Sequence, residues 1–327
     1  MQSYEDDERI PLGTSLSRPY SYGSLRIPVR QKLRELTELV RMSASAAFRG
    51  GSFEDLFADI LEYRQVLHQY GAQQLDEAKV FEIGCGQRGD RLISLISSEV
   101  DASGVDIDSP LLEGSADELL AILRTNGPGR LARSLVRHLL FDSLHRKRLE
   151  RALTQRGLPL TIAPERFLTC DASSLILPPT SVDLIISEDV FEHIKPESLR
   201  SLVERMTLWL KPSGLALIRP DVFTGIQGGH LAEWFSLEQT RTRRSEPWEH
   251  LRKKRFKPRV YLNELTRSHY REIFSRAFLI LEERVRHPNL GMEFLTPAVA
   301  DELRNYPEEE LFSNRVLFIL KPLPARN

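Results

Sequence analysis

The sequence predicts an α/β fold, a doubly wound, Rossmann-like sheet of seven strands, and two observations carry that prediction. From Ala78 onward, short apolar runs alternate with helical segments, which is typical of βαβ units around a buried parallel sheet. The first of these runs ends in VFEIGCGQRGD, a G-x-G-x-x-G turn that follows a strand and opens a helix. At 327 residues, the chain is long enough for one such sheet with added segments.

The apolar runs place the seven strands, and the segments around them divide the chain. We expect strands at 79–84, 102–107, 166–170, 182–187, 214–219, 278–285 and 315–321. The clearest helix follows the fourth strand, where Pro196 suits a first helical turn and apolar residues recur at helical spacing up to Leu210. Residues 1–75 are interpreted as a polar arm and a helical cap, with helices over 30–42 and 53–70. Residues 76–327 form the main domain, with insertions at about 111–160 and 221–262.

The overall composition favours a soluble globular protein. Lys plus Arg total 45 against 46 Asp plus Glu, for a net charge of -1, so nothing global indicates nucleic acid as a partner. No apolar run approaches the ~20 residues of a membrane span, and the polar start does not resemble a signal peptide. We therefore expect a cytoplasmic protein without a membrane span. The two cysteines, Cys85 and Cys170, lack metal-ligand spacing, so neither a disulfide nor a zinc cluster is expected.

The glycine turn indicates a nucleotide-type cofactor. Its glycines allow a sharp turn and close approach of a ligand to the backbone, which serves both dinucleotides and S-adenosylmethionine. Glu82 favours the second, because a carboxylate disfavours an anionic pyrophosphate but suits an ammonium and a sulfonium. About 20 residues further on, Asp106 ends the second strand, where an acid can bind ribose hydroxyls, and Asp108 is the competing acid.

Four motifs in order resemble those of the class I S-adenosylmethionine-dependent methyltransferases. They are EIGCG at 82–86, GVDID at 104–108, LTCDASSL at 168–175, and VDLIISEDVFEHI followed by LKPSGLALI between 182 and 218. Ser213 stands where this family commonly has a glycine. The resemblance covers roughly residues 76–221. It implies the strand order 3-2-1-4-5-7-6, with the last strand antiparallel.

The resemblance also implies a role for each residue at a matching position. Glu82, Gly84, Cys85 and Gly86 would line the methionine end of the cofactor. Asp106, with Ile107 beside it, would bind the ribose. Asp171 would accept a hydrogen bond from the adenine amine, with the Ala172 amide facing the ring, and Ser187 and Glu188 would lie beside the reactive methyl group.

Two histidines are candidates for a base that takes a proton from an acceptor hydroxyl. His230 lies in GIQGGHLAEW, where Glu233 and Trp234 suggest a shaped pocket, and it is slightly favoured over His193, which follows the fourth strand. A structural role for His193 is an equal alternative. Glu233, Glu192 and Asp189 suit either acceptor contacts or metal ligands, but no spacing is strong enough to predict a metal.

A basic segment, residues 241–259, holds nine Lys or Arg and two Glu. It favours an anionic acceptor, with Trp248, Arg252 and Arg255 among its contacts, although a solvated basic helix is an equal alternative.

We therefore expect a methyltransferase that methylates oxygen on a small molecule or glycan, with a homodimer as the candidate assembly. The alternatives are an NAD(P)-dependent oxidoreductase and a methyltransferase-like module that binds without catalysis.

Overall fold

Seven strands form one sheet in the computed structural model, in the order β3-β2-β1-β4-β5-β7-β6. This is the order that the sequence motifs imply. The strands are β1 (Lys79–Ile83), β2 (Asp101–Asp106), β3 (Phe167–Thr169), β4 (Val182–Glu188), β5 (Leu210–Arg219), β6 (Phe278–Val285) and β7 (Val316–Pro322). The structure describes residues 53–71, 73–231, 234, 243, 245–255, 258 and 260–324. The predicted arm and the predicted helix over 30–42 lie outside these residues.

Strand pairing is parallel from β3 to β5 and antiparallel at β7. β1 pairs in parallel with β2 and β4, while β7 runs antiparallel to both β5 and β6. The predicted antiparallel last strand is confirmed. β5 begins four residues earlier than predicted, because Leu210 leaves the preceding helix and pairs with Val182. The carboxyl ends of β1, β2, β4 and β5 therefore share one edge, where ligands bind in open α/β sheets.

Helices cover both faces of the sheet. They are α1 (Glu54–Val66), α2 (Asp90–Ser97), α3 (Ala116–Asn126), α4 (Pro128–Arg137), α5 (Ser143–Thr154), α6 (Pro196–Trp209), α7 (Glu249–Arg252), α8 (Arg267–Ser275), α9 (Pro297–Glu302) and α10 (Glu308–Leu311). One π-helical turn, Leu67–Gly71, extends α1, and another, His138–Asp142, joins α4 to α5. Pro196 occupies the first turn of α6, as predicted.

The segment between β2 and β3 is helical and broken at Gly127, as the sequence indicates. Ser115 and Glu118 form a capping box at the start of α3. The Ser115 hydroxyl accepts from the Glu118 amide, and the Glu118 carboxylate accepts from the Ser115 amide. Gly127, with φ of 81°, ends α3 and begins α4. No helix among the described residues is both long and apolar enough to cross a membrane.

The core lies on the two faces of the sheet. One apolar cluster joins α1, α2 and α5 to residues such as Val80, Leu184 and Leu217, and the other joins α6 and α8 to Phe81, Ile185 and Ile218. Successive residues of one strand thus point into opposite clusters, which explains why these strands have near-continuous apolar runs. A third cluster, around Trp234 and Trp248, lies in the segment after β5.

Candidate active site

The glycine turn after β1 has left-handed backbone at each of its three glycines. The φ angles of Gly84, Gly86 and Gly89 are 83°, 67° and 60°. A Cβ at Gly84 would lie 2.1 Å from Val190, and one at Gly89 would lie 2.2 Å from Phe167. At Gly86 such an atom would meet nothing within 4 Å. Two glycines are therefore required by packing, whereas Gly86 borders open space where a ligand can approach the backbone.

Asp106 holds this turn in place. Its Oδ2 accepts a hydrogen bond of 2.8 Å from the Gly86 amide, and its Oδ1 accepts one of 2.8 Å from the Asp108 amide. Burial raises the pKa of Asp106. Each carboxylate oxygen has a second lone pair, so binding of ribose hydroxyls stays a prediction compatible with these contacts. The competing Asp108 is in an ion pair with Arg130.

Glu82 lies beneath the turn and is almost wholly buried. Its Oε1 lies 3.3 Å from Arg91 Nη1, while its Oε2 has no hydrogen-bond partner among the described residues. Burial raises the pKa of Glu82 to about 7, against the opposing effect of the Arg91 charge. A buried carboxylate oxygen without a partner is costly unless a ligand supplies a donor. The ammonium at the methionine end of S-adenosylmethionine is such a donor.

A cavity of about 440 Å³ lies over the turn and is of the size that small-ligand sites have. It is lined by Leu56, Glu82, Gly84, Cys85, Gly86, Gln87, Arg88, Gly89, Asp90, Arg91 and Arg137. The four residues predicted for the methionine end all lie here. The open face of Gly86 and the orphan oxygen of Glu82 are the observations that fit S-adenosylmethionine to this cavity.

The residues predicted for the ribose and adenine lie at the ends of β2 and β3. Ile107 is 67% exposed directly after Asp106, so an apolar side chain stands uncovered where a base can pack. Asp171 is exposed, and its Oδ1 accepts from the backbone amide and hydroxyl of Ser173, which caps a short 3₁₀ turn that begins at Ala172. Asp171 therefore has a local capping role, and its contact with adenine stays a prediction.

A second cavity, of about 240 Å³, adjoins the first and shares Leu56 and Arg91 with it. Four acids and three arginines dominate its lining, which consists of Phe53, Asp55, Leu56, Asp59, Arg91, Glu188, Asp189, Arg286 and Arg315. The cavity lies at the carboxyl ends of β4 and β5, where the methyl acceptor is expected. We call it the acceptor cavity.

Glu188 is bound into a charged network beside this cavity. Its Oε1 accepts from the Tyr63 hydroxyl at 2.7 Å, and its Oε2 accepts from Arg219 at 2.9 Å. Arg219 is 2% exposed and also pairs with Asp59 of α1. Burial raises the pKa of Glu188 to about 7. The neighbouring Ser187 is buried and donates to the Ile83 carbonyl, which ties β4 to β1.

Helix α1, which with its π-helical turn matches the predicted helix over 53–70, lies at this edge of the sheet, and its role as a cap stays a prediction. It supplies Leu56, Asp59 and Tyr63 to the two cavities and their network. Sequence reasoning missed these roles, along with those of Arg91 and Arg219. The periodic apolar face of α1 was visible in the sequence, but its polar partners come from segments far apart in the chain, so no local spacing indicates them.

Both candidate histidines lie beside the buried acids Glu192 and Asp221, and the side chain of His193 is itself 34% exposed. His193 and His230 have ring centroids 5.1 Å apart. The Nε2 atom of His230 lies 3.4 Å from Asp221 Oδ2 and 3.9 Å from Glu192 Oε1. Asp221 was missed, although an acid directly after the fifth strand was a usable signal. His230 has a φ of 51°, an unusual left-handed backbone that holds its ring toward the acids.

The basic segment differs from the open positive surface that the sequence suggested. Arg252 pairs with Glu302 at 2.5 Å, and Arg255 pairs with Glu249 at 2.7 Å. The expectation that Arg252 and Arg255 bind an anionic acceptor is therefore corrected. Each charge is neutralised by a glutamate, which lies in α9 for Arg252 and in the basic segment itself for Arg255.

The two tryptophans of this segment are core residues. Trp248 is fully buried and its indole donates to the Thr224 carbonyl at 3.1 Å, and Trp234 is 2% exposed and donates to Ser245. The expected contact of Trp248 or Trp234 with an acceptor is thus also corrected, since neither ring face is open. Glu233 lies outside the described residues.

Comparison with known proteins supports a methyltransferase. Residues 126–218 match the model of the methyltransferase domain family. No curated protein is significantly similar in sequence to this chain.

Three solved structures illustrate the structural likeness. A SAM-dependent methyltransferase from Archaeoglobus fulgidus is 16% identical, covering 86% of this chain and 99% of that one, with a TM-score of 0.43. One from Methanosarcina mazei is 15% identical, covering 79% and 97%, with a TM-score of 0.41. Phosphoethanolamine N-methyltransferase 2 of Haemonchus contortus, in complex with phosphomonomethylethanolamine and S-adenosylhomocysteine, is 19% identical, covering 84% and 53%, with a TM-score of 0.40.

The matched range includes β3, β4 and most of β5 but begins after the glycine turn. The turn, with the buried Glu82 and its cavity, is therefore evidence separate from the match. It argues against the oxidoreductase alternative on the electrostatic ground given for the sequence. Residues 126–218 thus match a methyltransferase domain, and the sheet order and the cofactor cavity are those that the sequence motifs led us to expect of a class I S-adenosylmethionine-dependent methyltransferase.

Proposed function

We propose that this enzyme transfers the methyl group of S-adenosylmethionine to a hydroxyl oxygen of a small polar molecule or glycan end bound in the acceptor cavity. The observation that carries the proposal is the lining of that cavity, in which seven of nine residues are charged and the signs nearly balance. A small apolar or aromatic acceptor would cover these ion pairs without offering them any hydrogen bond, whereas a polyhydroxylated one can bond the lone pairs and N–H groups that the ion pairs leave over.

The charges of the cavity also refine the expected class of acceptor. Arg286 pairs with Asp59 at 2.5 Å, and Arg315 pairs with Asp189 at 2.9 Å. Because the arginines of this cavity are matched by acids, it has no strong preference for an anion. We therefore favour a neutral or zwitterionic acceptor over the anionic one that the basic segment suggested.

The cofactor roles follow from the placement of the predicted residues. Glu82, Gly84, Cys85 and Gly86 hold the methionine end, with the Glu82 carboxylate receiving the ammonium. Asp106 and Ile107 hold the ribose and the edge of the base, and Asp171 and Ala172 hold the adenine amine and ring. Ser187 and Glu188 support the methyl position through the backbone of β4 and the network with Tyr63.

Catalysis depends mainly on alignment, because the sulfonium already activates the methyl group. The adjoining cavities, which share Arg91 and Leu56, would place donor and acceptor for an in-line displacement. The hydroxyl proton needs a destination. The cluster of Glu192, Asp221 and His230 offers acids and an imidazole, and it adjoins Asp189, which lines the acceptor cavity.

Transfer of a ¹³C-labelled methyl group tests the proposal. Purified full-length protein is incubated with [methyl-¹³C]S-adenosylmethionine and pools of sugars, oligosaccharides and hydroxylated small molecules. We expect a labelled methyl ether, recognised by its ¹³C chemical shift and its stability to alkali, and none in a Gly86→Val variant. A product labelled at nitrogen, or an alkali-labile methyl ester, would contradict the oxygen assignment while leaving the methyltransferase activity intact.

A further inference from the structure

We propose that Asp189, Glu192, His193, Asp221 and His230 form a binding site for one divalent cation beside the acceptor cavity. These residues come from three places in the chain: the turn after β4, position 221, which is two residues beyond the end of β5, and the loop 222–231. Their candidate ligand atoms form two overlapping sets, one of Glu192 with both histidines and one of Glu192 with both aspartates, and within each set all atoms lie within 4.8 Å of one another.

Glu192 is common to both sets and is the strongest indication of a ligand. It is 2% exposed, and among the described residues neither of its carboxylate oxygens has a partner within hydrogen-bond geometry, although the backbone amides of Glu192 and Asp221 lie close enough to oppose the rise of its pKa that burial causes. A buried carboxylate normally accepts hydrogen bonds or binds a cation, because its transfer out of water is otherwise uncompensated. Two imidazoles that could carry a positive charge lie near it. The Nε2 atoms of His193 and His230 are 3.8 and 3.9 Å from Glu192 Oε1, beyond hydrogen-bond distance.

The separations between these atoms suit a shared ion better than direct contact. Two ligands that each lie ~2.1 Å from one cation are about 3.0 Å apart at a right angle and about 4.2 Å apart when opposite. The separations from His230 Nε2 to Asp221 Oδ2 and Glu192 Oε1 are 3.4 and 3.9 Å, and that from His193 Nε2 to Glu192 Oε1 is 3.8 Å. All three lie between those two limits.

His193 is held in the tautomer that a metal requires. Its Nδ1 lies 2.9 Å from the Tyr261 carbonyl oxygen. Because a carbonyl only accepts, Nδ1 carries the proton, and Nε2 is left with the lone pair that faces Glu192. A backbone carbonyl that fixes the far nitrogen is the usual support of a histidine that binds metal.

Arg315 orients the two aspartates without occupying the oxygens that face the cluster. It contacts Asp189 Oδ2 at 2.9 Å and Asp221 Oδ1 at 3.0 Å. The opposite oxygen of Asp189 is buried and has no hydrogen-bond partner among the described residues, and that of Asp221 faces His230. One arginine thus compensates part of the charge of three carboxylates, and a divalent cation would compensate most of the rest.

The mixed ligand set indicates the class of ion. Imidazole nitrogen together with carboxylate oxygen suits Mn²⁺, Fe²⁺, Co²⁺ or Zn²⁺ better than Mg²⁺ or Ca²⁺, which prefer oxygen alone. Because Asp189 also lines the acceptor cavity, the ion would lie at its wall. A role in binding the acceptor hydroxyl and lowering its pKa rests on the proposed function, whereas cation binding does not.

Titration of the chelator-treated, full-length protein with Mn²⁺, Co²⁺, Zn²⁺ and Mg²⁺ by calorimetry tests the site without any acceptor. We expect one equivalent of Mn²⁺, Co²⁺ or Zn²⁺ to bind with a Kd at or below about 10 μM, and Mg²⁺ more weakly. Glu192→Gln keeps the shape of the side chain and should raise this Kd at least ~10-fold. Glu197→Gln, which makes the same change at an exposed residue of α6, should leave it unchanged.

Two further measurements keep the outcome unambiguous. His193→Gln should alter the visible absorption spectrum of bound Co²⁺, because a nitrogen ligand is lost, and this serves if Glu192→Gln does not fold. Affinity for S-adenosylhomocysteine, measured on the same samples, should stay unchanged in the variants, so a failure of the methyltransferase assignment is seen separately. Absence of binding of all three transition ions at about 1 mM, or equal Kd values in Glu192→Gln and Glu197→Gln, would overturn the proposal.

Discussion

The two ends of the active site are built in opposite ways. At the cofactor end, Asp106 binds the amides of Gly86 and Asp108, so a short stretch of chain is organised by its own backbone. At the acceptor end, Asp59, Glu188 and Arg219 meet from helix α1 and strands β4 and β5 and hold one another by charge. The first arrangement depends on the backbone of one short stretch of chain, and the second depends on side chains from separate elements.

This difference predicts that a substitution at one end of the active site leaves binding at the other end unchanged. Gly86→Val should reduce affinity for S-adenosylhomocysteine by at least ~100-fold, because valine strains a residue with φ of 67° and projects into the cofactor cavity. Gly157→Val is the matched control, since Gly157 has φ of 74° and equally open space but lies outside both cavities. Both changes should destabilise the fold by about 1–3 kcal/mol, and calorimetric titration should show the loss of binding in Gly86→Val alone.

The converse prediction concerns the acceptor end. His230→Ala should lower turnover by about 10²-fold with nearly unchanged cofactor affinity, because the imidazole acts on the acceptor side only. His230→Asn tolerates the left-handed backbone better and separates the lost imidazole from lost stability, and His68→Ala is the control at an exposed histidine. Partial recovery of turnover by added Mn²⁺ would assign His230 as a metal ligand, and no recovery would assign it as a base. Normal turnover in His230→Ala would move the role to His193.

A third prediction separates the two acids that follow β2. Asp106→Ala should weaken cofactor binding by about 1–3 kcal/mol, because the turn loses two backbone partners and the ribose loses a charged acceptor. Asp108→Ala breaks only the ion pair with Arg130, so its effect should be smaller. Equal losses in the two variants, measured by the same titration, would show that Asp108 shares the ribose contact.

A fourth prediction uses the raised pKa of Glu82, about 7, which burial causes. Below that pH the free protein holds Glu82 protonated, and the ammonium of the cofactor then loses its carboxylate partner. Affinity for S-adenosylmethionine should therefore rise several-fold between about pH 6 and about pH 8, by no more than tenfold per pH unit for one group. Glu82→Gln should flatten this dependence. Glu188→Gln, at the acceptor end and with a similar pKa, should retain it.

The same contrast explains what could be predicted from the sequence. The strand positions, the glycine turn and Asp106 follow from patterns within a few residues, and the strand order follows from the family that the four motifs resemble. The predicted acceptor contacts of Trp248 and Arg255 were wrong. The burial of Trp248 and the ion pair of Arg255 with Glu249 depend on how a long segment folds back on itself, which local spacing does not show. The partners of Arg219 could not be found at all, since helix α1 and strand β4 approach it only in the folded chain.

The smallest effect is expected in the basic segment, whose cations were predicted to attract an anionic acceptor. Arg252→Gln and Arg255→Gln should change the acceptor KM less than about twofold, with no change in its dependence on salt, because both cations are already neutralised by glutamates. Stability should respond instead, and more at Arg252, whose side chain is 4% exposed, than at Arg255, at 51%. Thermal unfolding and steady-state kinetics at low and high salt make the comparison. A KM that rises most at low salt would show that the basic segment attracts an anionic acceptor. The charge-balanced cavity would then bind the acceptor without contributing to this attraction.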